Sequence, residues 1–301
     1  MGSHARPRPW NAPRAAPWAI AALLCAPNLA RSDVVIGAST ALRHDDNVGN
    51  AQAVSDKVQD STASAAVSLF QSLPLGTDFS FATGAVLSGE VYDHLEGLRN
   101  ASIDGVVSLK KKWGLGAFAP WVRTTVSLGR TDFEDGYRDA STYRVSLESG
   151  KRIDARWNFW AKYTLEHRDA RPGPMAIYGV SSDAFSQLSH SVTANMEVAL
   201  SERISLAIGA LRRRGDVVST TAPVDGDLYL NSRAVEADPT FGPNQFAYRL
   251  TGTSYTVSAG VLLSMSAHSV LGCALRRSET HAEGGNNYVN SVAEISWNYR
   301  L

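Results

Sequence analysis

From Val34 onward, apolar and polar residues alternate with a period of two, and no stretch keeps the 3.6-residue rhythm of an amphipathic helix. A period of two gives a strand with two different faces. It is plainest over residues 288–301. There Val289, Ala293, Ile295, Trp297, Tyr299 and Leu301 make an apolar row interrupted only by Ser291, and Asn290, Glu294, Ser296, Asn298 and Arg300 make a polar row interrupted only by Val292. The same alternation predicts strands over 34–43, 62–71, 78–92, 101–113, 118–131, 142–151, 157–169, 188–200, 204–214, 249–263 and 269–280. That makes about 12 strands in all.

The connections sort into two kinds. Those near residues 75, 115, 154, 202 and 266 are short, whereas 44–61, 170–187 and 215–248 are long and rich in Asp, Gly, Asn and Pro. Alternating short and long connections around an even number of strands put every long loop at one end. Strands of about 10 to 15 residues suffice for a tilted crossing of a hydrocarbon layer, whereas a sandwich uses strands of about 5 to 6. A solenoid would show a repeat of fixed period, which is absent. The expected fold is all-β: a closed antiparallel transmembrane β-barrel of about 12 strands, with short periplasmic turns and long extracellular loops.

The aromatic, alternating row of 288–301 resembles the C-terminal signal of bacterial outer-membrane β-barrels, although it ends in Leu301 where that pattern has Phe. In architecture the whole of 31–301 is similar to bacterial outer-membrane porins, and specifically to monomeric channels of twelve strands. The resemblance implies an outer-membrane location, contact with lipid and lipopolysaccharide, and insertion by the barrel assembly machinery through the terminal strand.

The N-terminus agrees with export. Arg6, Arg8 and Arg14 precede the apolar run WAIAALLC at 18–25, and small or polar residues follow up to Ala30. These are the three zones of a secretory signal peptide, so residues 1–30 are expected to be cleaved and 31–301 to form the barrel. Cys273 is then the one cysteine left, which excludes an internal disulfide. The leader carries three arginines and no acid, so a chain of zero formal charge leaves a mature part that is acidic by about three charges.

If the apolar rows face lipid, parity turns Arg43, Lys110, Lys112, Arg123, Arg144, Lys162, Arg168, Arg213, Arg276 and Arg300 inward, with Asp78, Glu90, Asp104, Glu148, Glu166, Glu197 and Glu294. The cations outnumber the anions inside while the surplus acid sits in the loops. The expected pore-lining set is Arg43, Arg144, Lys162, Arg168, Arg213, Arg276, Glu90, Glu166 and Glu294. Of these, the arginines are candidates for a cationic constriction near the extracellular end. A basic passage of low dielectric favours anions, so the first expectation is a diffusion channel for anionic small solutes or acidic oligosaccharides. The same charges could instead pair across a narrow lumen and plug it. A closed barrel whose loops do the work therefore stays open as an alternative. The loop 215–248 is expected to cover the surface rather than fold into the mouth.

A third alternative is an enzyme barrel, a lipid hydrolase or protease with its site at the rim. Ser189-His190-Ser191 and His44-Asp45-Asp46-Asn47 hold the residue types for it. Parity, however, turns His190 away from both serines, and the second run is what a polar loop is made of. No phosphate loop, zinc spacing or dinucleotide fingerprint is present. The sequence thus predicts no catalytic or metal-binding residues, no cofactor and no nucleic-acid partner.

Overall fold

A computed structural model describes residues 33–173, 180–223 and 226–301. The candidate leader lies outside the described residues. The strands are β1 (Asp33–Asp45), β2 (Asp60–Leu75), β3 (Phe79–Tyr92), β4 (Asn100–Lys112), β5 (Trp121–Phe133), β6 (Ala140–Arg152), β7 (Trp157–Ala170), β8 (Gln187–Ala199), β9 (Ile204–Thr221), β10 (Ala234–Ala237), β11 (Phe246–Ser264), β12 (Ser269–Ala282) and β13 (Asn287–Arg300). Each pairs antiparallel with its neighbours. β13 returns to β1, with Gly37 opposite Arg300 and Asp45 opposite Val292. β9 pairs with β11 directly. Twelve strands therefore close into a barrel, and β10 is a short extra strand on β11. Closure leaves the twelve-stranded ring no open edge, so where it crosses the membrane its strands bond to one another within the wall.

The alternation read from sequence is the alternation of the wall. Along β7, exposure switches at every residue, with Trp157, Phe159, Tyr163 and Leu165 on the outer face and Asn158, Lys162, Glu166 and Arg168 on the inner. Val34, Ile36, Leu42, Val67, Leu69, Leu87, Val107, Leu128, Leu147, Val257, Leu275 and Ile295 continue the outer face as a belt of exposed apolar side chains. A belt of this extent fits only an apolar surrounding. Aromatic residues bound it at both ends. At the short-turn end, Trp297 stacks with Tyr299 at 5.8 Å and Trp157 with Phe159 at 6.2 Å, and Lys111 Nζ lies 5.2 Å from the Phe79 ring. At the long-loop end stand Tyr143 and Tyr255, each against a histidine. Aromatics and amphipathic cations mark the water boundaries of a bilayer, and with the closed barrel they identify a bacterial outer-membrane protein.

Two details depart from the sequence expectation. The turn after β2 comes later than expected, at Gly76 (φ 77°), because Pro74 and Leu75 still belong to the strand. Asp78 consequently lies in that turn, exposed, and not in the lumen. The larger departure is the β9–β11 hairpin, expected to end at 214 and resume at 249. It runs to Thr221 and restarts at Phe246. Alternation stops at Gly215, whose φ of 141° suits glycine alone. Beyond it Asp216, Val217, Ser219, Thr220 and Thr221 are all buried, on both faces. The hairpin has left the membrane and entered the packing of the loops.

Candidate functional site

Inside the barrel the inward rows are built mainly of Ser, Thr, Gly and Ala, with hydroxyls joined across neighbouring strands. Ser88 and Ser102 lie 2.6 Å apart, and Ser254–Thr280 and Thr256–Ser278 each 2.8 Å. The charged side chains pair along the wall. Register sets Arg43 opposite Glu294 and Arg144 opposite Glu166. Arg43 reaches Glu90 at 3.1 Å and Glu294 at 3.9 Å, and Arg276 reaches Glu294 at 3.1 Å. Arg144 meets Glu166 at 2.7 Å, and Arg123 meets Glu148 at 3.7 Å. Every one of these pairs joins adjacent or next-but-one strands. Among the described residues none spans the lumen, so the interior holds no salt-bridged plug of the kind the sequence left open.

The five arginines expected at a constriction fall into three groups. Arg43 and Arg276 share Glu294, and Arg144 is occupied by Glu166. Arg168 and Arg213 gather around Gln187: Arg168 is its register partner, and Arg213 donates to its Oε1 at 3.1 Å. Arg168 also donates to the Arg138 carbonyl at 2.7 Å and lies 5.3 Å over the Phe133 ring. Neither Arg168 nor Arg213 forms an ion pair with a described carboxylate. Lys162 sits opposite Glu148 in register, without an ion pair.

The long loops do more than cover the surface. The turn region between β9 and β11 crosses the barrel mouth, a correction to the expectation drawn from sequence. In the ring this hairpin stands half a circumference from β3 and β4, yet Thr240 packs against Gly97 in the β3–β4 connection, and Phe241 against Gly49 after β1. The Thr240 hydroxyl donates to Asp135 at 2.8 Å. Arg138 lies between Asp135 and Asp238, 2.6 Å from the latter, with its guanidinium 4.4 Å over Phe185. The Thr220 hydroxyl donates to Asp238 at 2.7 Å, the Thr220 amide to the Gly49 carbonyl at 2.7 Å, and the Val235 amide to the Ser181 carbonyl at 2.9 Å. Thr221 donates to Asp56, a bond that holds this carboxyl below its usual range. Ala140, Ala170, Ala184, Phe185, Ala234 and Ala247 form the apolar centre of this roof. Beneath it is a cavity of about 220 Å³ lined by Phe133, Arg138, Arg168, Phe185, Gln187 and Phe241, among others.

The roof contains a buried acid. Glu236 on β10 is 1% exposed and neither carboxylate oxygen reaches a hydrogen-bond partner at normal geometry. Burial, with Asp238 and Asp183 adding to it against the pull of the Ala184 amide and of Arg138, raises its pKa to about 7. Sequence reasoning counted Glu236 and Asp238 only among the surplus acids of the loops, and missed their burial and Arg138. The one available signal was Asp216 to Thr221, where a β-branched run without alternation follows a glycine.

The motifs weighed for chemistry have structural roles. Asp45 accepts from the Asn47 amide at 2.9 Å and from Asn290 at 2.6 Å, and Asp46 accepts from the Ser291 amide at 2.7 Å. His190 is on the outer face against Tyr163, while Ser189 and Ser191 face inward. Asp60, Asp93 and His94 cluster closely enough to suggest a metal. However, Asp60 already accepts from the amides of Ser61, His94 and Leu95, so its oxygens serve the β3–β4 connection.

No protein-family model matches the chain, and no curated protein matches it. Solved structures do. An outer membrane channel from Pseudomonas putida F1 aligns over 89% of this chain and 95% of its own, with a TM-score of 0.57 and 14% identity. The beta domain of the Bordetella autotransporter BrkA aligns over 88% and 98%, with 0.47 and 13%. The NanC porin aligns over 87% and 100%, with 0.42 and 8%. The likeness to the first is one of fold, that of a closed outer-membrane barrel.

Proposed function

We propose that this protein is an outer-membrane diffusion channel for small anionic solutes, with its narrowest passage at the extracellular mouth. The observation that carries the reading is the disposition of charge inside. Carboxylates neutralise Arg43, Arg144 and Arg276 along the wall, which leaves the lumen lined by small hydroxyl residues. Arg168 and Arg213, just under the roof, are held by the Arg138 carbonyl and the Gln187 amide oxygen and form no ion pair with a described carboxylate. A solute entering from outside meets those two guanidiniums in a confined space, where a fixed charge acts strongly on mobile ions. The remaining pore-lining residues, Lys162, Glu90, Glu166 and Glu294, set the field below them. The fold of the Pseudomonas putida channel is compatible with this reading.

The test is single-channel conductance of refolded protein in a planar bilayer under a KCl gradient. A reversal potential of the sign for chloride preference is expected, and it should collapse toward zero in the Arg168→Ala, Arg213→Ala double variant. Cation preference in the unaltered protein would overturn the assignment. The roof supports a second reading, a closed barrel whose loops carry the function. Conductance that appears only after 222–245 is shortened would favour it.

A further inference from the structure

Outside the barrel, toward the long-loop end, are three arginines that no described carboxylate engages; Glu279, the next outward residue after Arg277 on β12, is turned to His281 at 3.3 Å. Arg212 and Arg214 on β9 and Arg277 on β12 belong to the outward rows and are exposed. None forms an ion pair or hydrogen bond with a described residue. The other side of the rim is different. Arg130, also outward, is held by Asp132 at 2.8 Å and Asp139 at 3.8 Å.

Register gives the neighbours of each. Arg212 lies in one row with Val192 and Tyr255, and Tyr163 is opposite Val192. It is therefore the direct neighbour of Tyr255, an aromatic of the upper girdle, near which lipid headgroups begin. Arg214 is one outward position nearer the loops, opposite His190. Arg277, opposite Val257, is one outward position nearer the bilayer centre than the Tyr255 row. From strand spacing and rise, the Arg212 and Arg277 Cα atoms are roughly 12 Å apart, and their long side chains can meet groups lying between them. Cations at this depth against lipid are unfavourable unless an anion from the lipid reaches them.

Directly below Arg277 the outer wall is hollowed. A groove of about 540 Å³ has Val257, Ala259, Leu275, Ala293 and Arg277 among its lining, together with one carboxylate, Asp46, which accepts from the Ser291 amide. It forms because Ala259 and Ala293 flank Leu275 in one row of the ladder. The hollow continues down the wall past Val261, Cys273 and Ile295.

We infer that this face, from β8 to β13, is a binding site for a phosphorylated, acylated lipid of the outer leaflet, its phosphoryl groups on Arg212, Arg214 and Arg277 and an acyl chain in the groove. Guanidinium forks match phosphate oxygens in pairs of charge-assisted hydrogen bonds. The chain places those forks above an apolar slot, the same order in which such a lipid presents headgroup and tail. The site is independent of whether the lumen conducts.

Native mass spectrometry of the detergent-solubilised barrel with added diphosphorylated lipid A tests it, with dephosphorylated lipid A and inorganic phosphate as parallel probes. A discrete lipid adduct is expected, weakened about tenfold or more in the Arg212→Ala, Arg214→Ala, Arg277→Ala variant. Arg130→Ala should leave it unchanged. Ala259→Phe, which fills the groove and alters no charge, should weaken it also. Heat-modifiable gel mobility checks that each variant is folded. Equal binding of dephosphorylated lipid, equal binding by the triple arginine variant, or inorganic phosphate binding as well as the lipid would each overturn the proposal.

Discussion

Two ion pairs of the same chemistry do different work in this molecule. Arg43–Glu90 lies on the barrel wall, with both side chains about 30% exposed to the lumen. Arg138–Asp238 lies in the roof, with side chains 9% and 0% exposed. The strands carrying the first are already held by unbroken ladders on both sides. Its partners face water, where a charge pair is screened and contributes little to stability. The loops carrying the second have no ladder across the mouth. Side chains and a few backbone bonds hold them together, and the pair is buried where an unmatched charge is costly. In the wall, then, charge shapes a field. In the roof it maintains a structure.

The largest expected effect follows from removing the roof's arginine. Arg138→Ala would strand Asp135 and Asp238, both nearly inaccessible as side chains, at about 3 to 5 kcal/mol for an uncompensated buried charge. The barrel, stabilised by its own ladders, should keep its heat-modifiable gel mobility. The roof should open, seen as faster protease cleavage within 222–245 and as higher single-channel conductance. Unchanged cleavage and conductance would mean that the roof is held by other contacts and that the contrast with the wall is wrong.

A somewhat smaller effect depends on pH. Glu236, raised to about 7, keeps in the closed roof a proton that an opened loop would release above the ordinary carboxylate value of 4.5. Its contribution to closure is thus complete below about pH 4.5 and is lost as pH rises through about 7, a change of about 2 to 3 kcal/mol. Asp183 and Asp238 add to the repulsion once Glu236 ionises, and Arg138 opposes it. Protease protection of 222–245 should be greater at pH 5 than at pH 8. Glu236→Gln should make protection independent of pH over that range and keep it high at pH 8. A variant that retained the pH dependence would show that another group is responsible.

These two regions also differ in how far they could be read from sequence. The strand expected over 157–169 is β7, Trp157–Ala170, and the one expected over 269–280 is β12, Ser269–Ala282. A half-buried strand writes its two environments into every second residue, so a local pattern suffices. Parity likewise turned Arg144 and Glu166 inward, while their facing each other came only with the register of β6 and β7. The roof has no such local code. Arg138 reads as one polar residue in the turn Asp135-Gly136-Tyr137-Arg138-Asp139, and its partner Asp238 is a hundred positions away. β9 beyond Gly215 is buried on both faces, so the alternation that had marked it disappears where the strand enters the roof. Pairing between distant loops is a property of the closed ring, and only closure brings 93–99 and 240–241 together.

The smallest expected effect on stability, on the wall, sharpens the comparison from the other side. Glu166→Gln removes the partner of Arg144, whose 2.7 Å contact joins two half-exposed side chains. The loss in barrel stability should stay below about 1 kcal/mol, the range of solvated pairs. Denaturant midpoint and protease protection of the roof should therefore hardly move. What should move is the reversal potential under a KCl gradient, further toward chloride, because the change removes one negative charge from the lumen and leaves Arg144, like Arg168 and Arg213, without an ion pair. If Glu166→Gln destabilised the barrel as strongly as Arg138→Ala opens the roof, the wall pairs would be structural supports, and the division between a charge that sets a field and a charge that holds a fold would fail.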